Sequence, residues 1–348
     1  MKNIRKIIMV IIGASIGAGF ASGREIYVFF FRFGKPGILG ILISSVITGL
    51  AIYFTFKISY EKEIDNYNEF VEEINNNHKK INQFIKLIVI IFLLISFFIM
   101  IAGFSAFIKQ VFNIELYISS TIFVLIVYIV LIKNAQGMLK LNDFLVPVII
   151  VLITFIGIKN IPSAISKLSF LSKIENINWF IYSVLYGSFN SIVLIPIVIT
   201  LKKYIEKKEE MKTISIISTN IYLILSLLIF VLLLKANFNI EEIEMPIFEV
   251  LENNVFKIMY GIIIAFSVFT TAISVGFSFL ENISTEKNYK RNLKIICIIG
   301  VFISNIGFSN LVEKLYPIFG ILGLIQIYFI YKKALEKKAN KCYKLCNK

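Results

Sequence analysis

A chain of 348 residues that is 57% hydrophobic, with a mean hydropathy of +0.82 and 33 phenylalanines, is not an ordinary soluble domain. Its formal charge of +14 first suggests nucleic acid. However, the Lys and Arg residues fall in short loops between apolar blocks of about 20 residues, the pattern of a polytopic helical membrane protein. Three cysteines do not make a disulfide scaffold, and with His78 the only histidine a histidine-rich metal centre is excluded.

The first apolar stretch lies between Lys6 and Arg32, long enough to cross a bilayer core of roughly 30 Å at about 1.5 Å per residue. It is too long for a signal peptide and lacks a small-residue cleavage site. Inside it sit Gly13, Gly17, Gly19 and Gly23, with Ser15 and Ser22, and then Arg24-Glu25. On a straight helix Glu25 would lie about 10 Å in from Arg32, a depth at which charges are rare and face a cavity or each other. Glycine-rich backbone there frees amides and carbonyls that need partners, and many secondary transporters build a midplane site from such a discontinuous helix.

Ten spans are expected, at 7–31, 37–56, 84–108, 114–132, 139–158, 178–200, 213–234, 256–280, 292–310 and 315–331. With the N-terminus inside, most Lys and Arg residues fall in the cytoplasmic segments and their flanks, as positive-inside topology requires. The opposite loop 235–255 is acidic, with Glu241, Glu242, Glu244, Glu249 and Glu252. Both termini are then cytoplasmic, and 332–348 is a basic tail. In the 57–83 loop, Ile64, Tyr67, Phe70, Val71 and Ile74 recur at helical spacing. They read equally as a helix lying on the membrane surface and as one packed under the bundle.

The sixth span carries Tyr186-Gly187-Ser188-Phe189-Asn190 midway along it. A second break there, about 170 residues after the first, is what two inverted five-span repeats predict, near 7–158 and 178–331. The alternative is that Gly187 and Ser188 allow close helix packing and Asn190 bonds to a neighbouring span.

The stretch Gly13-Ala14-Ser15-Ile16-Gly17-Ala18-Gly19-Phe20-Ala21-Ser22-Gly23-Arg24-Glu25 resembles the opening motif of a family of uncharacterised bacterial membrane proteins. That family is related to the amino acid–polyamine–organocation superfamily and its sodium:neurotransmitter symporter-like branch. The ten-span layout, the broken sixth span and the closing Leu315-Tyr316-Pro317-Ile318-Phe319-Gly320 are similar too, so the likeness covers essentially the whole chain. It implies an all-α polytopic membrane protein, a single domain with the LeuT-like 5+5 inverted-repeat bundle and discontinuous helices 1 and 6. It further implies a secondary transporter in the bacterial cytoplasmic membrane.

Ser267, Thr270, Thr271, Ser274 and Ser278 form one hydroxyl-bearing face of span eight. Such a face serves equally as a structural polar seam, since Ser and Thr bond their own i−4 carbonyls. The resemblance implies a sodium ion held by the carbonyls of Gly13, Ile16 and Ser267 and the hydroxyls of Thr270 and Thr271, with no other cofactor. A proton-coupled relative would carry a lysine inside span five. Here Lys140 and Lys159 stand only at its ends, which favours sodium. Asp143, near one end of that span, reads either as part of an intracellular gate or as a helix cap.

A substrate pocket is expected from Ser15, Gly17, Ala18, Gly19 and Phe20 of span one and Tyr186, Gly187, Ser188, Phe189 and Asn190 of span six. Met100, Gly103 and Phe104 of span three would close one side. Amides freed at a half-helix start favour a carboxylate, so the expected solute is a small zwitterion, an amino acid or related amine. Arg24 and Glu25 are expected at an outer gate. Direct contact with substrate charges, or a buried structural pair, are the other readings.

No zinc-protease, aspartate-rich metal–diphosphate, Walker or nucleophile-elbow motif is present, so an enzyme is not expected. The rival to sodium-coupled symport is a transporter-like sensor that binds a small molecule without net flux. The bilayer and a small solute are the expected partners, nucleic acid is not, and the sequence leaves open a homodimer or an accessory protein.

Overall fold

Glycine stops the first span from forming one helix. In the computed structural model, which describes residues 2–75, 79–165, 178–236, 240, 243–304 and 308–346, α1 (Lys2–Ser15) ends at a step made by Ile16 and Gly17. Helix α2 (Ala18–Ser22) then runs for five residues, and α3 (Arg24–Phe29) follows Gly23. Gly23 has φ +85°, a left-handed conformation that costs a residue bearing a Cβ roughly 1–2 kcal/mol. His78, Glu241 and Glu242 lie outside the described residues.

The chain continues as α4 (Pro36–Glu61), α5 (Tyr67–Ile74), α6 (Lys79–Phe112), α7 (Leu116–Leu131), α8 (Asn134–Ile165), α9 (Asn178–Leu201) and α10 (Lys208–Leu233). It closes with α11 (Pro246–Val250), α12 (Asn254–Ile283), α13 (Tyr289–Ile303) and α14 (Phe308–Cys346). Among the described residues seven helices are long and apolar enough to cross a membrane: α4, α6, α8, α9, α10, α12 and α14. Helices α7 and α13 are shorter, at 16 and 15 residues. The basic tail does not leave the bundle as a loop, because α14 continues through Lys332 to Cys346.

Local chemistry sets several of these starts. Pro36 opens α4, where a missing N–H costs nothing. The Asn253 side chain accepts from the amides of Val255 and Phe256 at the start of α12. Asn66 accepts from the Glu69 amide at 2.9 Å while its own amide group donates to the Glu69 carboxylate, a reciprocal cap for α5.

The sixth span corrects the expectation of a second break: α9 is helical from Asn178 to Leu201 with no unwinding at 186–190. Its carbonyls stay in the helix and take extra side-chain donors, Ser191 Oγ to Gly187 O at 2.7 Å and Asn190 Nδ2 to Tyr186 O at 3.0 Å. Polar side chains thus mark a seam here rather than an unwound turn.

The LeuT-like arrangement appears in how the helices pair. The first span packs on α8 and α9 packs on α14; α4 packs on α9 and α10 packs on α1. Likewise α8 meets α10 while α14 meets α4, and α8 meets α12 while α14 meets α6. Each contact has its image when spans one to five are exchanged for six to ten, as an inverted repeat requires. Helix α9 lies at the centre, with 94% of its apolar window buried against 39% for α8 and α14. Leu39, Leu42, Val46 and Leu50 of α4 are exposed at helical spacing, a lipid-facing stripe that would be unfavourable in water.

Helix α5 packs under the bundle. Tyr67, Phe70, Val71 and Ile74 are buried against α6 and α14. The Gln326 amide of α14 donates to the Tyr67 hydroxyl at 3.0 Å.

Candidate functional site

The break in span one exposes backbone groups, and their partners define the site. Gly17 is extended and all but touches Met100: a Cβ there would come within 3.3 Å of the Met100 sulfur and 3.5 Å of the Thr271 methyl. The Ala18 amide points at that sulfur at 3.5 Å. A Cβ on Gly103 would strike Ala18, so α6 lies directly against the step. Phe104, expected beside them, instead stacks on Phe123 of α7 with ring centroids 4.6 Å apart. It lines a groove between α7, α8 and α12, away from the break.

On α9 the predicted residues divide by face, as a 100° step per residue demands. Tyr186, Phe189 and Asn190 turn to the centre. Gly187 turns to Ile47 and the Ser44 carbonyl of α4, and Gly323 of α14 closes on the Ser188 carbonyl. Those two residues serve close helix packing. Phe189 stacks on Tyr316 of α14 at 4.1 Å, and Phe20 lies 5.5 Å from Tyr222 of α10. Tyr222 and Tyr316 are not among the pocket residues expected from the sequence, because nothing local sets them apart from the other tyrosines of the spans.

The structure separates Arg24 from Glu25. Arg24 is buried and reaches outward, with one guanidinium nitrogen donating to the Ile240 carbonyl at 2.8 Å and another 3.3 Å from the Glu313 carboxylate of α14. Glu25 folds back over α2, where the missing Cβ of Gly19 leaves room for its carboxyl. The Tyr186 hydroxyl donates to Glu25 Oε2 at 2.7 Å, and the Phe20 amide faces the same carboxyl. Tyr260 of α12 donates to the Ala21 carbonyl at 2.7 Å, satisfying the other end of α2.

Below the break, hydroxyls of α12 converge on α1. Thr271 donates to the Gly13 carbonyl at 2.7 Å; Thr270 lies 3.3 Å from the same oxygen and 3.0 Å from the Ser267 carbonyl. All are buried, as is Ile16, which stands in the step itself. Ser267 Oγ has no hydrogen-bond partner, and nor does Oδ1 of Asn142 on α8, which presses on Gly13. These donors are neutral oxygens, and the described residues hold no cluster of three His, Cys, Asp or Glu. Such a set fits a monovalent hard cation better than a divalent one. Ser15 donates to the Ile11 carbonyl and faces a cavity of about 10 Å3 lined also by Ser45, Thr48, Ser218 and Tyr222.

At the N-terminal end of the bundle, Arg5 of α1 pairs with Asp143 of α8 at 2.8 Å. The two ion pairs, Arg5–Asp143 and Arg24–Glu313, stand on opposite sides of the break. Asp143 lies inside α8, beyond its first two turns, so it does not cap that helix.

No family model matches the sequence. Two proteins of Bacillus subtilis (strain 168) are similar along nearly their whole length. The uncharacterised protein YyaD is 22% identical over 323 residues, 92% of this chain and 93% of its own. The uncharacterised membrane protein YkvI is 23% identical over 346 residues, 95% and 96% respectively. Among solved structures, MhsT in complex with L-phenylalanine aligns with TM-score 0.70 at 15% identity, covering 93% of this chain and 87% of that one. A Na+-coupled sialic acid symporter in a substrate-bound outward-open state gives 0.65 at 14%, over 92% and 76%. The Eremococcus coleocola manganese transporter gives 0.57 at 14%, over the same shares. At these identities the likeness is one of fold, and the fold is the LeuT-like bundle.

Proposed function

We propose that the chain is a secondary transporter that couples a sodium ion to the movement of a small zwitterion, an amino acid or related amine, by alternating access. It would sit in the bacterial cytoplasmic membrane with both termini inside. The observation that carries this reading is the broken first span, closed by an ion pair above the break and another below it. A channel has no need of two such closures, whereas a carrier must close one side before opening the other. Solved structures of the same fold include a Na+-coupled symporter and a protein holding L-phenylalanine, which supports the solute class and the ion.

Sodium would lie between the Gly13 and Ile16 carbonyls and the Ser267, Thr270 and Thr271 oxygens. The solute would lie at the step, against Gly17, Ala18, Gly19, Phe20, Tyr186, Phe189 and Asn190, with Met100 and Gly103 behind it. The Phe20 amide, which now faces Glu25, becomes available to a solute carboxylate when α3 moves outward. Arg24 serves the outer gate through Glu313, and Glu25 stands beneath it.

The test is uptake of amino acids and amines into vesicles containing the purified protein. An imposed sodium gradient should drive accumulation, and sodium should tighten solute binding by the factor by which solute tightens sodium. Saturable binding with no flux under a gradient of either sign would replace this reading with the sensor.

A further inference from the structure

Glu25 is the one residue at the break whose surroundings do not match the charge it would carry. Its side chain is 3% exposed, and among the described residues no Lys or Arg lies within salt-bridge distance of it. Arg24, its neighbour in sequence, is committed to Ile240 and Glu313. The groups that face Glu25 come from four elements. Tyr186 of α9 donates to it, and Tyr222 of α10 and Tyr316 of α14 stand close enough to interact with its charge. The fourth, α2, supplies the Phe20 amide. On α6 the nearest contribution to the step is Met100, and on α12 Tyr260 is engaged with the Ala21 carbonyl. The titratable groups around it are thus three phenols, which are neutral.

An ionised carboxylate so placed keeps one hydrogen bond, from Tyr186, and no countercharge, and bare charges at hydrocarbon depth are not retained in that state. Glu25 is not among the residues lining the described cavities, so none of them offers its carboxyl a place for a metal ion or an ammonium group. The cation that neutralises it without needing volume is a proton. Polar groups also lie between the carboxyl and the lower half of the span. The Tyr222 hydroxyl approaches Tyr186 and Asn190 without reaching hydrogen-bond geometry to either. It faces the 10 Å3 cavity shared with Ser15, Ser45, Thr48 and Ser218. That volume is on the order of one water molecule, and Ser218 Oγ, like the Tyr222 hydroxyl, has no protein partner. Phenol, cavity and serine thus stand in turn between Glu25 and the N-terminal half of the span, without hydrogen bonds joining them.

We propose that Glu25 is an exchangeable proton site. Its carboxyl binds a proton while α3 is closed on α9, and releases it to water when α3 and α9 part and break the Tyr186 contact. The proton site is separate from the sodium oxygens of α1 and α12, so the conformational cycle moves a proton as well as a solute. Which way it moves rests on the alternating-access reading; its existence does not.

The test is infrared difference spectroscopy of the full-length protein in lipid nanodiscs during a pH titration. It reads the carboxyl directly and needs neither solute nor flux. A carboxylic-acid carbonyl band that titrates separately from the exposed acids is expected. It should be lost in Glu25→Gln and retained in Glu249→Gln. Tyr186→Phe should keep the band but move it to higher frequency, because the carbonyl loses a donor. Should Glu25→Gln fail to fold, Glu25→Asp provides the second variant, with the band shifted rather than lost. A parallel readout is the reaction of an impermeant thiol reagent with cysteine placed at Val28, which is buried in α3. Its rate should vary with pH in the Val28→Cys protein and become pH-independent when Glu25→Gln is added. A spectrum with no separate acid band, or a band unchanged in Glu25→Gln and Glu25→Asp, overturns the proton site. A thiol rate with the same pH dependence in both backgrounds overturns its coupling to opening. Failure of sodium-driven uptake would leave both results standing.

Discussion

Thr271 shows how one hydroxyl separates a binding site from a structural seam. It donates to the Gly13 carbonyl across the α1–α12 contact, so the oxygen has a use whether or not an ion is present. If it is only a helix-to-helix bond, Thr271→Val costs about 1 kcal/mol of stability and leaves sodium dependence unchanged. If it binds the ion, the lost contact is one to a charge, worth about 1.5–3 kcal/mol. The variant then needs several-fold or more additional sodium for half-maximal solute binding, at a tenfold change per 1.4 kcal/mol. Sodium titration of Thr270→Val and Thr271→Val, each checked for expression and melting, decides between them. Unchanged sodium dependence in both would assign the row of hydroxyls to packing.

Among the elements, α5 is the one whose attachment depends on charge. The Glu73 carboxylate lies 2.9 Å from the Lys62 ammonium and 3.2 Å from that of Lys333 on α14. Partial burial pushes its carboxyl up, but the two lysines outweigh this and hold it below the usual carboxylate range. A group lowered on folding stabilises above its unfolded value and loses that contribution as pH falls through the folded one. The clamp is therefore complete at neutral pH and weakens under acid. Partly exposed pairs contribute only about 0.2–1 kcal/mol, and the apolar face of Tyr67, Phe70, Val71 and Ile74 remains. Hydrogen exchange of residues 62–75 should speed up as pH drops through the acidic carboxylate range, after correction for intrinsic rates. Glu73→Gln should show the faster exchange already at neutral pH. No difference between that variant and the parent would mean that the Glu73 pairs do not hold α5, leaving its apolar face, the Gln326–Tyr67 bond and the Lys86–Glu72 pair.

For the molecule as a whole, the two ion pairs astride the break predict opposite responses. Asp143→Asn releases Arg5 and should favour opening at the N-terminal end; Glu313→Gln releases Arg24 and should favour opening at the other. Each pair is partly exposed, so a shift of about fivefold in the ratio of states is the scale to expect from up to about 1 kcal/mol. Cysteines placed at Ile12 and at Val28, labelled from the two sides of a sealed vesicle, would read the shift. Both variants moving accessibility in the same direction would contradict alternating access.

The apolar helices, their order and the first break were legible because they depend on local chemistry. Runs of apolar residues need lipid, and a glycine-rich stretch leaves a helix without side chains to hold it together. Thr270 and Thr271 were legible as part of an inward hydroxyl face from their spacing, and Met100 and Gly103 lie at the step as expected, whereas Phe104 turns to α7. What sequence could not determine is how each polar residue spends its bonds. Tyr186-Gly187-Ser188-Phe189-Asn190 reads like a second break, yet α9 stays helical because Gly187 and Ser188 face neighbouring backbones and Asn190 bonds within its own helix. Arg24 and Glu25 read as a pair, yet one points to α14 and the other to α9. The reason is geometric: adjacent helical residues diverge by about 100°, and their partners, Glu313 and Tyr186, lie 289 and 161 residues away along the chain. The burial that leaves Glu25 without a countercharge is a property of four packed elements, and only the tertiary structure brings them together.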